Sequence, residues 1–282
     1  MADNYCLMKI DERFQAEADK YAAYLETPEG RLRLDLAFAN LREILPMPEA
    51  SASLRALDLG CGTGANGLRL ARLGYQVTLM DFSRPMLEIA QRAAQEAGVM
   101  EKIETKQGHA DRLADFFYEP AFDLILCHNI LEFVEDPSAV VRGAARALRN
   151  SSGILSVLVR NRAGEVLKAA ILSGDLDAAA NNLSAQWGNE ALYGGKVRLF
   201  TPETTRTMLK TASLEVLSER GVRAVADYLS PRVSLSEEYQ RVFELERKLG
   251  SQPDFSAIAR YTHHLAHRAD PAIINPRIKD NA

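Results

Sequence analysis

The sequence predicts an α/β protein: a doubly wound, mostly parallel sheet of seven strands, with N-terminal helices and a helical cap inserted late in the chain. Three observations carry that prediction. From residue 54 to 159, strand-length apolar runs alternate with helical patterns. The run Arg55-Ala56-Leu57-Asp58-Leu59 breaks into Gly60-Cys61-Gly62-Thr63-Gly64 and then into leucines at helical spacing, Leu68, Leu70 and Leu73. Asp81 closes the following strand about 20 positions after the first glycine.

The elements follow in order. Residues 10–46 read as helical, with Thr27-Pro28-Glu29-Gly30 a turn, Thr27 its cap, and Leu34, Phe38, Leu41 and Leu45 on one face of the helix from Arg31. Pro46 to Ser53 is a linker, which divides the chain into an N-terminal segment 1–53 and a sheet domain 54–282. After the glycine turn, Gln76-Val77-Thr78-Leu79-Met80 is a second strand. Ser83-Arg84-Pro85 opens a helix that Gly98 closes. Lys102 to Gln107 is a weak third strand, and Phe122 to Asn129 a fourth, apolar enough to be buried on both faces. A helix carrying Val140, Val141, Ala144, Ala147 and Leu148 inward leads to a fifth strand, Ile154 to Val159. The alternation then breaks, and the alanine-rich stretch from 163 to about 200 is expected to be the helical cap. Thr201-Pro202-Glu203 starts a helix to about Ala212; Leu214 to Leu217 resumes the sheet and continues through Arg220 to Leu229 as strand and loop. A polar helix, Glu237 to Leu249, precedes a final strand, Arg260 to Arg268, and the tail from Asp270 is expected to be poorly ordered.

Bulk composition excludes several classes. Of 282 residues 47% are hydrophobic and 26% charged, which suits a globular chain with ample core. The net charge of −4 gives no global basic signature for nucleic acid. A local basic run does exist: from Pro137 to Gly174, Arg142, Arg146, Arg149, Arg160, Arg162 and Lys168 face a single acid, Glu165. Such a run serves as a solvated face or meets phosphates. Cys6, Cys61 and Cys127 are odd in number and far apart, which argues for a reducing, cytoplasmic setting over a disulfide framework. Met1 to Lys9 lacks the pattern of a secretion signal, and no apolar run reaches the roughly 20 residues of a membrane span. His263, His264 and His267 alternate faces on a strand, which spoils a common metal; they read as strand residues near a surface, and no metal is expected.

Glycines at 60, 62 and 64 contribute no side chain; they permit φ > 0 and close approach of the backbone to a ligand. One helix and one return strand bring Asp81 beside that turn, where a carboxylate can grip ribose hydroxyls. The spacing Gly60-x-Gly62-x-x-Ala65 suits a nicotinamide dinucleotide as well, so spacing leaves the ligand open. His128 ends the fourth strand at its carboxyl edge, a position that favours the lining of a pocket.

Leu57-Asp58-Leu59-Gly60-Cys61-Gly62-Thr63-Gly64 resembles motif I of the class I S-adenosylmethionine methyltransferases, a family with a Rossmann-like fold. The segments Thr27 to Arg33, Asp81-Phe82-Ser83, Asp123 to His128, Gly221-Val222-Arg223 with Asp227-Tyr228-Leu229, and Arg260-Tyr261-x-His263 are similar to the bacterial tRNA methyltransferases that esterify 5-carboxymethoxyuridine at the wobble position. The resemblance implies S-adenosyl-L-methionine as cofactor and tRNA as partner. Carried over by position, the cofactor contacts fall on Arg33, Gly60, Cys61, Gly62, Asp81, Asp111, Arg112 and His128. Residues 1–53 would then be a lid whose Arg33 meets the cofactor's carboxylate, with Asp111 and Arg112 bordering adenine. A cap to the helix after Arg112 is the other reading of Asp111. Arg162 and Arg223 are expected to hold a substrate carboxylate. A carboxylate is already ionised at neutral pH, so no catalytic base is required. This chain departs from the family in carrying Cys61 between its glycines and no lysine run in the cap. A small-molecule O- or N-methyltransferase is the alternative enzyme; a non-catalytic nucleotide-binding module is the alternative outside enzymes.

Overall fold

The computed structural model describes residues 17–45, 53–190, 192, 194–230 and 232–268. The first part of the expected N-terminal helix, most of the linker, Cys6 and the tail lie outside the described residues.

Two helices lead, α1 (Ala18–Glu26) and α2 (Pro28–Arg42), and Thr27 caps the second by accepting the Gly30 N–H at 3.1 Å. The sheet domain then alternates β1 (Arg55–Leu59), α3 (Ala65–Arg72), β2 (Gln76–Asp81), α4 (Arg84–Glu96), β3 (Ile103–Gln107), α5 (Leu113–Phe116), β4 (Leu124–His128), α6 (Pro137–Ala147) and β5 (Ile154–Arg160). The remainder comprises α7 (Arg162–Leu167), a π-helical turn (Lys168–Leu172), α8 (Leu176–Asn182), β6 (Trp187–Asn189), β7 (Lys196–Arg198), α9 (Pro202–Thr211), β8 (Leu214–Val222), α10 (Tyr239–Gly250), α11 (Pro253–Ile258) and β9 (Tyr261–Arg268).

Seven strands form one sheet in the order β3-β2-β1-β4-β5-β9-β8. β1 to β5 pair in parallel, and β9 runs antiparallel to both β5 and β8. Alternate residues feed opposite faces. Leu57, Leu59, Ile125, Cys127, Leu155 and Val157 belong to one core, and Ala56, Val77, Leu79, Leu124 and Leu126 to the other. The order reverses between β1 and β4, so the strand ends part there and leave a crevice at their carboxyl edge.

The expected architecture is therefore present, with four local differences. The cap is helical only to Asn182; Gly188, Gly194 and Gly195 break the helical run, and β6 and β7 pair as an antiparallel ribbon. α2 buries Leu32, Arg33, Leu36, Ala37 and Leu41 and leaves Leu34 and Phe38 half-buried, so its inward face is rotated from the expected one. Ser83 makes no side-chain cap; its N–H is taken by Asp81 instead. His263 and His264 are buried in β9, not near a surface, because β9 lies between β5 and β8. Among the described residues no cluster of His, Cys, Asp and Glu could hold a metal ion, and no helix is long and apolar enough to cross a membrane.

Candidate active site

A cavity of about 510 Å³ opens at the carboxyl edge of the sheet. Its walls come from α1 and α2 (Tyr21, Tyr24, Arg33), the ends of β1, β2 and β4 (Gly60, Gly62, Asp81, Phe82, His128), the end of β5 and the insertion (Arg160, Lys168, Glu190), and the β8 to β9 region (Arg223, Asp227, Arg260, Tyr261). Of the residues singled out in the sequence, Arg33, Gly60, Gly62, Asp81, His128 and Arg223 are brought together here.

The glycine turn is held from behind. Gly60 and Cys61 both donate their N–H groups to the Met80 carbonyl, at 2.8 and 3.1 Å. Gly60 has φ +69°, and a Cβ there would stand 2.7 Å from the Ile130 side chain. The conformation and the space both require glycine. Asp81 accepts the Gly62 N–H on one carboxylate oxygen and the Ser83 N–H on the other, each at 2.8 Å. Burial raises its carboxyl pKa, opposed by those two N–H groups. Asp58, buried under the turn, accepts the Gly67 N–H at 3.0 Å and so ties β1 to the start of α3. Burial pushes its carboxyl up to about 7. The sequence patterns assign no role to Asp58, although its place four residues before Gly62-Thr63-Gly64 suits turn scaffold. Cys61 turns away from the main cavity into a small adjoining pocket beside Asp58 and Asn66.

Arg33 is 6% exposed and makes no ion pair among the described residues. It donates to the Tyr21 hydroxyl at 3.2 Å, and its guanidinium lies 6.0, 5.3 and 5.8 Å from the ring centres of Tyr21, Tyr24 and Tyr261. The other buried guanidiniums of the cavity are neutralised. Arg160 pairs with Glu165 at 3.4 Å and with Glu190; Arg223 pairs with Asp227; Arg260 pairs with Glu165 at 3.1 Å and Asp227 at 3.7 Å. Arg223 also reaches the Tyr24 hydroxyl and holds φ +60°, unusual outside glycine.

His128 is committed at both ring nitrogens. Nδ1 faces Asn66 Nδ2 at 3.2 Å and Nε2 faces Ser156 Oγ at 2.7 Å. Ser156 continues to His263 at 2.8 Å, and His263 to Asn40 at 3.4 Å. Burial, with Arg33 adding, lowers His128 to about 3, so the imidazole is neutral. Burial raises the Tyr261 phenol, but Arg160, Arg33, Arg223 and Arg260 outweigh it and bring it down to about 8.

Besides Cys61, three expected residues are not brought into the cavity. Asp111 and Arg112 are exposed on a 3-10 turn whose inward residue is Ala110, and Asp111 caps no helix. Arg162 starts α7 half-buried while Gly164 and Glu165 take the inward face. Conversely, Tyr21 and Glu190 line the cavity without any sequence signal beyond their types, whereas Arg160 and Lys168 belong to the basic run and Phe82 and Tyr261 to the family-like segments.

Fold and site together define a class I, Rossmann-like transferase scaffold. The family described as methyltransferase domain matches residues 57–156. The tRNA 5-carboxymethoxyuridine methyltransferase of Escherichia coli strain K12 is 28% identical over 265 residues, spanning 92% of this chain and 97% of that protein. The ubiquinone biosynthesis O-methyltransferase of Paracidovorax citrulli is 30% identical over 200 residues, 67% of this chain and 78% of the relative. Among solved structures, the Burkholderia thailandensis 1,6-didemethyltoxoflavin-N1-methyltransferase, bound to S-adenosylhomocysteine, superposes with a TM-score of 0.59 at 16% identity, covering 95% of this chain and 90% of that one. The chain belongs to the S-adenosylmethionine-dependent methyltransferases.

Proposed function

We propose that the chain methylates a carboxylate on a tRNA nucleoside of the 5-carboxymethoxyuridine type, with Arg33, Gly60, Gly62, Asp81 and His128 holding the donor. The cavity suits that donor. A buried guanidinium costs several kcal/mol to desolvate. Cation–π contacts return only about 0.5–2 kcal/mol each. Arg33 therefore asks for an anion, which the donor's carboxylate supplies. Gly60 presents bare backbone, and Asp81 keeps acceptor capacity for ribose hydroxyls after its two N–H bonds. Phe82 follows Asp81 in the wall and stacks on His109 at 5.3 Å, offering a flat apolar surface to a base. Cys61, Asp111 and Arg112, carried over by family position alone, lie outside this cavity. When bound, S-adenosylmethionine supplies an electrophilic methyl group on a positively charged sulfur.

The acceptor reading rests on one observation: His128, the imidazole lining the cavity, spends Nδ1 on Asn66 and Nε2 on Ser156, and burial makes it a weak base, so it is unsuited to take a proton from a substrate. A carboxylate brings its own electron pair and loses no proton, so the residues need only orient it and exclude water. Segments 17–45 and 163–200 are proposed as lid and cap over that reaction, which a tRNA substrate would set in the cytoplasm. The near full-length similarity to the tRNA enzyme supports this reading. Incubating the protein with methyl-labelled donor and tRNA bearing 5-carboxymethoxyuridine should label that nucleoside with an alkali-labile methyl ester; unlabelled tRNA would refute it.

Tyr261 favours a second reading. A phenol brought down to about 8 can serve as a base toward a phenolic small molecule, and a ubiquinone O-methyltransferase is among the relatives. The two readings differ in pH dependence. Carboxylate methylation should be flat from pH 6 to 9, whereas a Tyr261 base gives a rate rising through about 8.

A further inference from the structure

We propose that Lys168 receives the anionic group of the methyl acceptor; this rests on the carboxylate reading above. The inference comes from a charge inventory of the cavity. Arg160, Arg223 and Arg260 are already paired to Glu165, Glu190 and Asp227. Arg33 is the cation of the donor end. Lys168 lines the same cavity, is half-buried, and makes no ion pair among the described residues. The acids that also line the wall are Asp81, bonded to the Gly62 and Ser83 N–H groups, Glu29, at the exposed start of α2, and Glu132, which accepts from Asn129 at 3.1 Å and from the Arg160 N–H at 2.8 Å. None of them is paired with the lysine.

Position supports the assignment. Lys168 belongs to the insertion that follows β5, and sheet order places β5 on the far side of β4 from β1 and β2. Lys168 thus belongs to the wall on the β5 side and Asp81 to the wall on the β2 side. The backbone there is special: Lys168 opens a π-helical turn, its carbonyl accepting the Ser173 N–H at 3.2 Å across five residues. Such turns are uncommon and concentrate at functional sites. This one turns both Lys168 and the apolar Leu172 into the cavity wall. An ammonium on a half-buried side chain, partly withdrawn from water, attracts a carboxylate more strongly than one in bulk solvent. It also gives a role to the last cation of the basic run from Pro137 to Gly174, while Arg162 remains outside the cavity.

The test uses phenoxyacetate, which carries the aryl –O–CH2–COO⁻ group, against its neutral isostere phenoxyacetamide. Both are titrated onto full-length protein saturated with S-adenosylhomocysteine, as wild type, Lys168→Met and Lys168→Arg. Wild type should prefer the carboxylate by about tenfold or more, as a charge-assisted contact implies. Lys168→Met should lose most of that preference and Lys168→Arg keep it, while S-adenosylhomocysteine affinity stays within about twofold in all three. Equal binding of the two probes to wild type, no binding of phenoxyacetate, or an unchanged preference in Lys168→Met would overturn the proposal. The tRNA assay fails separately. Unlabelled tRNA with a preference that depends on Lys168 would remove the nucleoside and leave the anion site standing.

Discussion

The two ends of the cavity are built differently. The proposed donor end, around Gly60, Gly62 and Asp81, works through backbone: glycines without side chains, positive φ, and one carboxylate holding the turn. The acceptor end, around Arg160, Lys168, Glu190, Arg223 and Tyr261, works through side chains gathered from β5, the insertion and β9. Backbone geometry tolerates almost no substitution, because a Cβ collides or a dihedral is forbidden. A side-chain network tolerates exchange, because each cation can be replaced or re-paired. The acceptor end is thus where a single scaffold can change substrate without losing its donor.

Substitutions at the two ends should separate cleanly. The largest effect is expected for Gly60→Val, whose branched side chain meets Ile130 and a φ of +69°; S-adenosylhomocysteine binding should disappear in calorimetry. Binding within threefold of wild type would break the contrast. Arg33→Met and Asp81→Ala should each weaken donor binding about 10- to 100-fold and leave the preference for phenoxyacetate over phenoxyacetamide intact. Asp111→Ala, at an exposed position outside the cavity, should change the same titration by no more than about twofold.

Glu246 gives a subtler test at the other end. It is 1% exposed, and its carboxylate accepts the N–H groups of Ala224, Val225 and Ala226 at 2.6, 2.9 and 2.6 Å. Those residues follow Arg223 and lead to Asp227, so α10 fixes the loop that faces the acceptor. Glu246→Gln should lower unfolding free energy by about 1–3 kcal/mol and raise acceptor KM with little change in donor affinity. Unaltered acceptor KM would detach this loop from the site.

A pH measurement sharpens the donor end. Folding raises the Asp58 carboxyl from 3.8 to about 7, so between those values the unfolded chain is the more ionised. The stabilisation is full below about pH 4 and is lost as pH rises through about 7. Asp58→Asn removes that dependence, so the stability of the variant relative to wild type should climb across the window. A difference that stays constant from pH 4 to 8 would contradict the buried, strained carboxylate.

The same contrast explains how much was legible in the sequence. The alternation of strands and helices, the glycine turn and Asp81 are local patterns with short spacing, and each reads directly as geometry. Thr27 and Thr201 cap their helices because hydroxyl, proline and spacing suffice to specify a start. The pairing of Arg160 with Glu190, or of Arg223 with Tyr24, depends on strands and helices meeting across long separations. No local pattern announces such meetings. Glu246 in a polar helix and Lys168 in the alanine-rich insertion carry no local pattern that tells their roles apart. One is buried against three N–H groups, and the other borders the cavity without an ion pair. Asp111 and Arg112 were reached through family position, and the turn at Ala110 sends them outward.

The account stands or falls on where the donor product settles. A crystal structure of the chain with S-adenosylhomocysteine should place its carboxylate on Arg33, its ribose hydroxyls on Asp81 and its backbone-facing edge against Gly60. Finding the compound elsewhere, with Arg33 still facing only Tyr21, Tyr24 and Tyr261, would contradict it.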